Sequence, residues 1–252
     1  MEGPTNTLTK AFKIIEEIVS NQESGLTLKE VVERTEAPKS SSHRILTNLA
    51  RLGYINRDQE TGRYRGALKL ASLGSEVLAR FDLRVHMRPH LAALQKATGL
   101  TCNLAIRSGH VGIYIDRFES PLYGIRLFSN VGQTFPLHGG GLGKAMLAYT
   151  DSEELDEILS YPMEKFTPNT VTDPAELKLE LERIRKRGYA MDDEEVIRGV
   201  KCIAAAILGP GGRCVGAISA TFPAYAAEER DTERDIQALK WCADAGQLIQ
   251  GA

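Results

Sequence analysis

Lys39, Ser40, His43, Arg44, Thr47 and Arg51 are spaced so that, at about 100° per residue, they fall on one sector of a helix. Ile45, Leu46, Leu49 and Leu52 fall on the opposite, apolar sector. An arginine can donate two parallel hydrogen bonds to a guanine edge, and hydroxyls can meet bases or phosphates. Ser41 stands in the same first turn, so Ser40, Ser41, His43 and Arg44 are the residues expected to meet base edges or nearby phosphates. This is the chemistry of a helix that enters a DNA major groove.

The elements that must hold this helix are legible around it. Thr27 and Glu30 form a T-x-x-E capping box that starts a preceding short helix, whose Val31 and Val32 are expected to face inward. Pro38 suits the first position of the polar helix. Residues 8 to 20 place Leu8, Phe12, Ile15, Ile18 and Val19 at helical spacing, which predicts a first helix before the capped one. Ser42 stands within the same helix, as a core hydroxyl or one that caps the backbone. Downstream, YINRDQETGRYRG alternates around D-x-E-T-G, a hairpin with Arg57, Arg63 and Arg65 near its tip that would lie along phosphates as a wing. Residues 38 to 69 hold seven basic and two acidic side chains, net +5, in a chain of net charge −2. That local basic surface fits a polyanion.

A chain of 252 residues accommodates this small domain and a larger one. Residues 150 to 252 carry 12 basic and 20 acidic groups, so the polyanion-binding face belongs at the other end. Cys102, Cys202, Cys214 and Cys242 show no metal spacing and are expected to be reduced and mostly buried. The start lacks the pattern of a secretory leader and no stretch is apolar enough to span a bilayer, so a cytoplasmic protein is expected. Beyond a connecting helix at 68 to 81 and a helix at 85 to 98, residues 100 to 118 read as a hairpin around Ser108-Gly109. Extended runs follow at 124 to 128 and 133 to 137, then helices at 141 to 149 and 152 to 160 and a Pro-started helix after Asp173. Strands at 200 to 208 and 213 to 222 and a last helix from about Glu228, carrying Leu248 and Ile249, complete an α+β pattern.

Four motifs bear on catalysis or metals. His138-Gly139-Gly140-Gly141 is similar to an oxyanion loop, but no G-x-S-x-G elbow accompanies it. Gly143-Lys144 lacks both the earlier glycine and the following Ser/Thr of a phosphate loop, since His138 and Ala145 stand there. What remains is a glycine-rich helix start whose N–H groups could hold an anion such as a carboxylate. His86 and His90 read as surface residues, and Asp192-Asp193-Glu194-Glu195 as a solvated loop, so neither a metal nor another cofactor is expected.

Taken together, APKSSSHRILTNLARLGYI, YIDRFESP at 114 to 121, PLHGGGLGKAMLA at 136 to 148 and the segment 167 to 207 resemble the IclR family of bacterial transcriptional regulators. Gly188, Asp192, Glu195, Cys202, Ile203, Ala204 and Ile207 carry the order and spacing of the family signature. The resemblance implies a winged helix-turn-helix over 1–67, a linker helix over 68–84, and a GAF-like effector-binding domain with a curved antiparallel sheet over 85–252. It further implies a small organic-acid effector. Gly141 and Leu142 at the helix start, Asp192, Cys202, Ser219 and Thr221 would hold that effector, with Leu127, Phe135 and Val200 as apolar wall. Leu208-Gly209, Ala206 and the three consecutive glycines depart from the usual pattern and bear on the ligand more than on the fold.

The expectation is a DNA-binding regulator acting as a homodimer or dimer of dimers on operator DNA, without membrane or cofactor. The alternatives are a small-molecule-converting enzyme with an accessory winged helix and a protein-interaction winged helix.

Overall fold

The first helix, α1 (Thr7–Ser20), is opened by Asn6, whose side chain accepts from the Thr9 N–H, and buries Ile14 and Ile18. In this computed structural model, which describes residues 6–79, 81–123 and 129–246, the chain divides after Val77 into two compact units. The first unit continues with α2 (Leu28–Thr35) and α3 (Lys39–Arg51), a hairpin of β1 (Ile55–Arg57) and β2 (Tyr64–Gly66), and most of α4 (Leu68–Ala79). The capping box of α2 forms as expected, Thr27 and Glu30 exchanging both hydrogen bonds. Glu36 adopts the left-handed conformation at φ 53° and turns the chain into α3. Ile14, Ile18, Val31, Ile45, Leu46, Leu49, Ile55 and Tyr64 make the core.

The apolar face of α1 is covered only in part, and two expectations for this unit are corrected. Leu8, Phe12 and Val19 are 64%, 57% and 46% exposed, because α2 and α3 cover only the Ile14–Ile18 side of α1. Leu52 is exposed at the end of its helix. Pro38 is the N-cap, with ψ 136°, and the helix begins at Lys39.

The second unit is one antiparallel sheet between two layers of helices. Its strands are β3 (Thr101–Ser108), β4 (Val111–Phe118), β5 (Thr134–Pro136), β6 (Ala190–Asp193), β7 (Val200–Leu208) and β8 (Cys214–Pro223). They lie in the order β5-β4-β3-β8-β7-β6. Irregular pairings at Leu104/Ala105 and Ile207/Leu208 bend the strands, as bulges do. Alternation along each strand separates two faces. On one, Cys102, Leu104, Ile203, Ile207, Ile218 and Phe222 pack against α5 (Asp82–Thr98) and α9 (Thr232–Ala245). On the other, the small side chains Ala105, Ala190, Ala204 and Ala217 face α6 (Gly140–Leu147), α7 (Ser152–Leu159) and α8 (Pro174–Arg187).

The hairpin around Ser108-Gly109, the strands near 200–208 and 214–223 and the helix after Asp173 match the sequence reading closely. Helix α5 starts earlier than expected, at Asp82, and runs through Pro89, while α9 starts later, at Thr232. Strand β6 was not expected, because a four-residue acidic run carries no strand signal of its own. It forms by pairing with β7. The expected extended run at 124–128, Leu127 within it, and Leu248 and Ile249 lie outside the described residues. Cys102, Cys202 and Cys242 are buried and Cys214 is partly so. Among the described residues no helix is long and apolar enough to cross a membrane.

Candidate ligand pocket and DNA-reading face

Register across the second unit's sheet sets two rows of side chains on the small-residue face. Thr101, Thr221, Cys202 and Asp192 are successive partners from β3 to β6, and Asn103, Ser219, Ala204 and Ala190 form the neighbouring row. The start of α6 lies directly on these rows. A Cβ on Gly141 would sit 2.8 Å from the Cys202 sulfur and 3.1 Å from the Ala204 methyl, so only glycine allows this approach. Gly140 enters the helix at φ 77° with the Asp192 carboxylate beside it. The consecutive glycines thus follow from a helix start pressed onto a sheet.

Beside that helix start is a cavity of about 350 Å³. Of the nine residues expected to hold a ligand, Phe135, Gly141, Leu142, Asp192, Val200, Cys202, Ser219 and Thr221 all line it, and Leu127 is outside the described residues. Sequence reasoning missed Asn103, Tyr114, Ser129, Gln133, Val196 and Ile197 on the same wall. The alternation of the hairpin 101–118 could have nominated Asn103 and Tyr114, but only pairing with β8 shows which face is inward.

The electrostatics of this site come from burial. Asp192 is pushed up to about 6 by desolvation, against the Glu195 N–H that it accepts at 2.8 Å. The Cys202 thiol is pushed far up, by burial first and by Asp192 next, and lies 3.9 Å from the Asp192 carboxylate. Tyr114 is likewise pushed up by burial. Beneath the helix start, Lys144 is fully buried and ion-paired with Glu195. The other Glu195 oxygen, Oε2, has no partner among the described residues. The acidic cluster is therefore no solvated loop at Asp192 and Glu195, both of which are buried. Paired burial overrode the preference of those carboxylates for water. His138 is buried too, its Nε2 2.9 Å from the Glu164 carbonyl, and no metal cluster exists among the described residues.

In the first unit, α3 presents Lys39, Ser40, His43, Arg44 and Thr47 to solvent, with Ser41 partly covered. Thr47 donates its hydroxyl to the His43 carbonyl at 2.8 Å. Ser42 is fully buried, its hydroxyl 3.4 Å from the Ala37 carbonyl, which settles it as a core hydroxyl with a backbone partner. In the wing, Asp58 accepts from the Glu60 and Thr61 N–H groups, which hold its carboxyl below the usual range and shape the turn. Arg57 is exposed, over the Tyr64 ring at 5.7 Å. Arg63 and Arg65, expected to lie along phosphates, have partners within the protein. Arg63 donates to the Gly25 carbonyl at 2.8 Å and to Glu30 at 3.1 Å, and Arg65 reaches the Ser24 carbonyl and Asp58. Their guanidiniums brace the wing against the start of α2 because a carboxylate and carbonyls lie within reach there.

Residues 7–59 match the family model described as the IclR helix-turn-helix domain, and residues 75–247 match that of the bacterial transcriptional regulator IclR C-terminal domain. The chain is 36% identical over 222 residues to the HTH-type transcriptional regulator BhcR of Paracoccus denitrificans, covering 88% of this chain and 78% of that one. The crystal structure of Thermotoga maritima IclR aligns with a TM-score of 0.72 at 35% identity, over 96% of this chain and 98% of that one. An IclR homologue from Microbacterium hydrocarbonoxydans complexed with 4-hydroxybenzoate shares the fold, with a TM-score of 0.79 at 22% identity, over 96% and 98% of the two chains. The names that accompany these matches are those of regulators, which removes the enzyme alternative. The chain belongs to the IclR family, and it is a DNA-binding transcriptional regulator with a helix-turn-helix unit and a separate C-terminal unit.

Proposed function

We propose that this regulator is switched by a small organic acid bound in the cavity at the start of α6, and that residues 1–67 read operator DNA. The observation that carries the reading is the placement of the N-terminal turn of α6 over Cys202 and Asp192 beside a cavity of about 350 Å³. A helix start favours an anion, and hydroxyls on Ser219 and Thr221 add donors around it. Apolar side chains such as Phe135 and Val200 suit the carbon frame of such an acid. The Microbacterium hydrocarbonoxydans homologue with its bound 4-hydroxybenzoate is a carboxylate-binding precedent in the same fold.

On the DNA side, Ser40, Ser41, His43 and Arg44 would meet base edges, and Lys39, Thr47 and Arg57 the phosphates. Two half-sites require two copies. The apolar stripe Leu8, Phe12 and Val19 on α1, and Leu68, Leu73 and Val77 on α4, supports a homodimer or dimer of dimers by leaving apolar area for a second copy. Helix α4 buries none of its own residues within the chain, which suits a linker over 68–84 between the reading head and an effector domain over 85–252. The effector would favour one dimer arrangement over another by binding it more tightly. With its operator, the protein would act in the cytoplasm.

Calorimetry with a panel of carboxylates, paired with a gel shift of promoter DNA in their presence, tests this function. The expected result is saturable binding of an acid that also changes the DNA shift. Acids that neither bind nor alter the shift would sink the effector reading.

A further inference from the structure

The cavity contains polar groups that the carboxylate at the start of α6 does not use. Asn103 is 3% exposed, and its amide nitrogen lies 3.4 Å from the Ser219 hydroxyl while its oxygen has no partner among the described residues. Turning the amide over only exchanges the two ends, so one end is unmet in either orientation. Ser129 is 5% exposed, and its hydroxyl also has no partner among the described residues. Its carbonyl faces the Arg117 guanidinium at 3.5 Å, which engages the backbone and not the hydroxyl. Both residues line the same cavity. A bound group that meets such a buried polar atom is favoured over one that leaves it unmet.

The sheet gives the separation of the two ends. Gly141 lies over Cys202 on β7, and Asn103 is on β3, two strands away in the order β3-β8-β7. At about 4.8 Å between neighbouring strands, that is roughly 10 Å. Resting on the organic-acid reading above, we propose that the effector is a hydroxy acid whose hydroxyl stands several bonds from its carboxylate, and that Asn103 and Ser129 recognise that hydroxyl. An acid with the hydroxyl on the adjacent carbon, such as lactate, is too short to reach both ends.

The test uses matched pairs of acids that differ by one hydroxyl: 4-hydroxybenzoate with benzoate, and 6-hydroxyhexanoate with hexanoate. Binding is measured by calorimetry on the full-length protein and on Asn103→Leu and Ser129→Ala. The wild-type protein should bind the hydroxylated member of a pair at least tenfold more tightly. Each substitution should bring that ratio towards one while leaving the unhydroxylated acid within about twofold. Ser129→Ala should also melt no lower than wild type, since it removes a hydroxyl with no partner. If Asn103→Leu does not fold, Ser129→Ala alone decides. Equal affinity for both members of each pair, or a ratio that survives the substitutions, overturns the hydroxyl assignment and leaves the organic-acid reading standing. If none of the acids binds the wild-type protein, both fall together.

Discussion

Arg63 of the wing donates to the Glu30 carboxylate at 3.1 Å, and Glu30 is the same group that closes the capping box of α2 by accepting from the Thr27 N–H at 2.7 Å. One carboxylate thereby fixes both the start of the helix before the reading helix and the base of the wing. Its pKa is held below the usual range, chiefly by the Thr27 backbone N–H.

This separates two arginines in a DNA-binding titration. Arg44→Ala should weaken specific operator binding by about 1–3 kcal/mol if its guanidinium pairs with a guanine. Arg63→Ala should leave the slope of affinity against salt unchanged, because its charge is already neutralised within the protein. A salt slope reduced by about one unit in Arg63→Ala would place that side chain on a phosphate after all.

In the proposed carboxylate site, Asp192 would make binding dependent on pH. The groups around it are Lys144 on α6, Glu195 and Asp193 beside it, Cys202 on β7 and Tyr114 on β4. With Asp192 pushed up to about 6, an incoming anion meets a neutral acid below that pH and a like charge above it. Affinity for a bound carboxylate should therefore fall as pH rises through about 6, and Asp192→Asn should flatten the profile. The same raised pKa sets the sign for stability. Its contribution is fully present below the ordinary aspartate pKa and is lost as pH rises through about 6. Calorimetric titrations of a carboxylate and denaturant melts, run over roughly pH 3 to pH 8, check both statements.

Lys144 and Glu195 form a buried pair whose partners cannot be removed singly. Lys144→Met should destabilise the protein by about 3–5 kcal/mol by stranding the Glu195 charge. Lys144→Met with Glu195→Gln should recover much of that loss. Denaturant melts of the single and double variants measure it, and a double variant no more stable than the single one would contradict the pairing argument.

The apolar stripe of α1 predicts an assembly defect without a folding defect. Phe12 is 57% exposed, so Phe12→Ser should leave the melting temperature of a monomeric state nearly unchanged. It should instead raise the concentration at which the protein dimerises, read by light scattering or sedimentation. An unaltered dimerisation profile would take α1 out of the interface.

Local signals made the first unit legible. Thr27 and Glu30 announced a helix start, and the 3.6-residue period set Ile45, Leu46 and Leu49 inside. The same period marks Leu8 and Phe12 on an apolar face of α1 without showing what covers it, and they are exposed. In the second unit, the resemblance supplied Gly141, Asp192, Cys202 and Ser219, all of which line one cavity. What stayed hidden depends on contacts distant along the chain. Lys144 and Glu195 are 51 residues apart and meet only when β6 pairs with β7. Asn103 and Ser129 are ordinary polar residues until the register with β8 turns one of them inward and burial leaves both atoms unmet.

The alternation along β3, β7 and β8 divides the code for specificity from the code for stability. Asn103, Cys202, Ser219 and Thr221 line the cavity, while the residues between them, Cys102, Leu104, Ile203, Ile218 and Ala220, belong to the opposite core. A combinatorial library restricted to the cavity positions would leave that second core untouched. The strands thereby offer an addressable surface on which the lining of the cavity could be evolved one rung at a time.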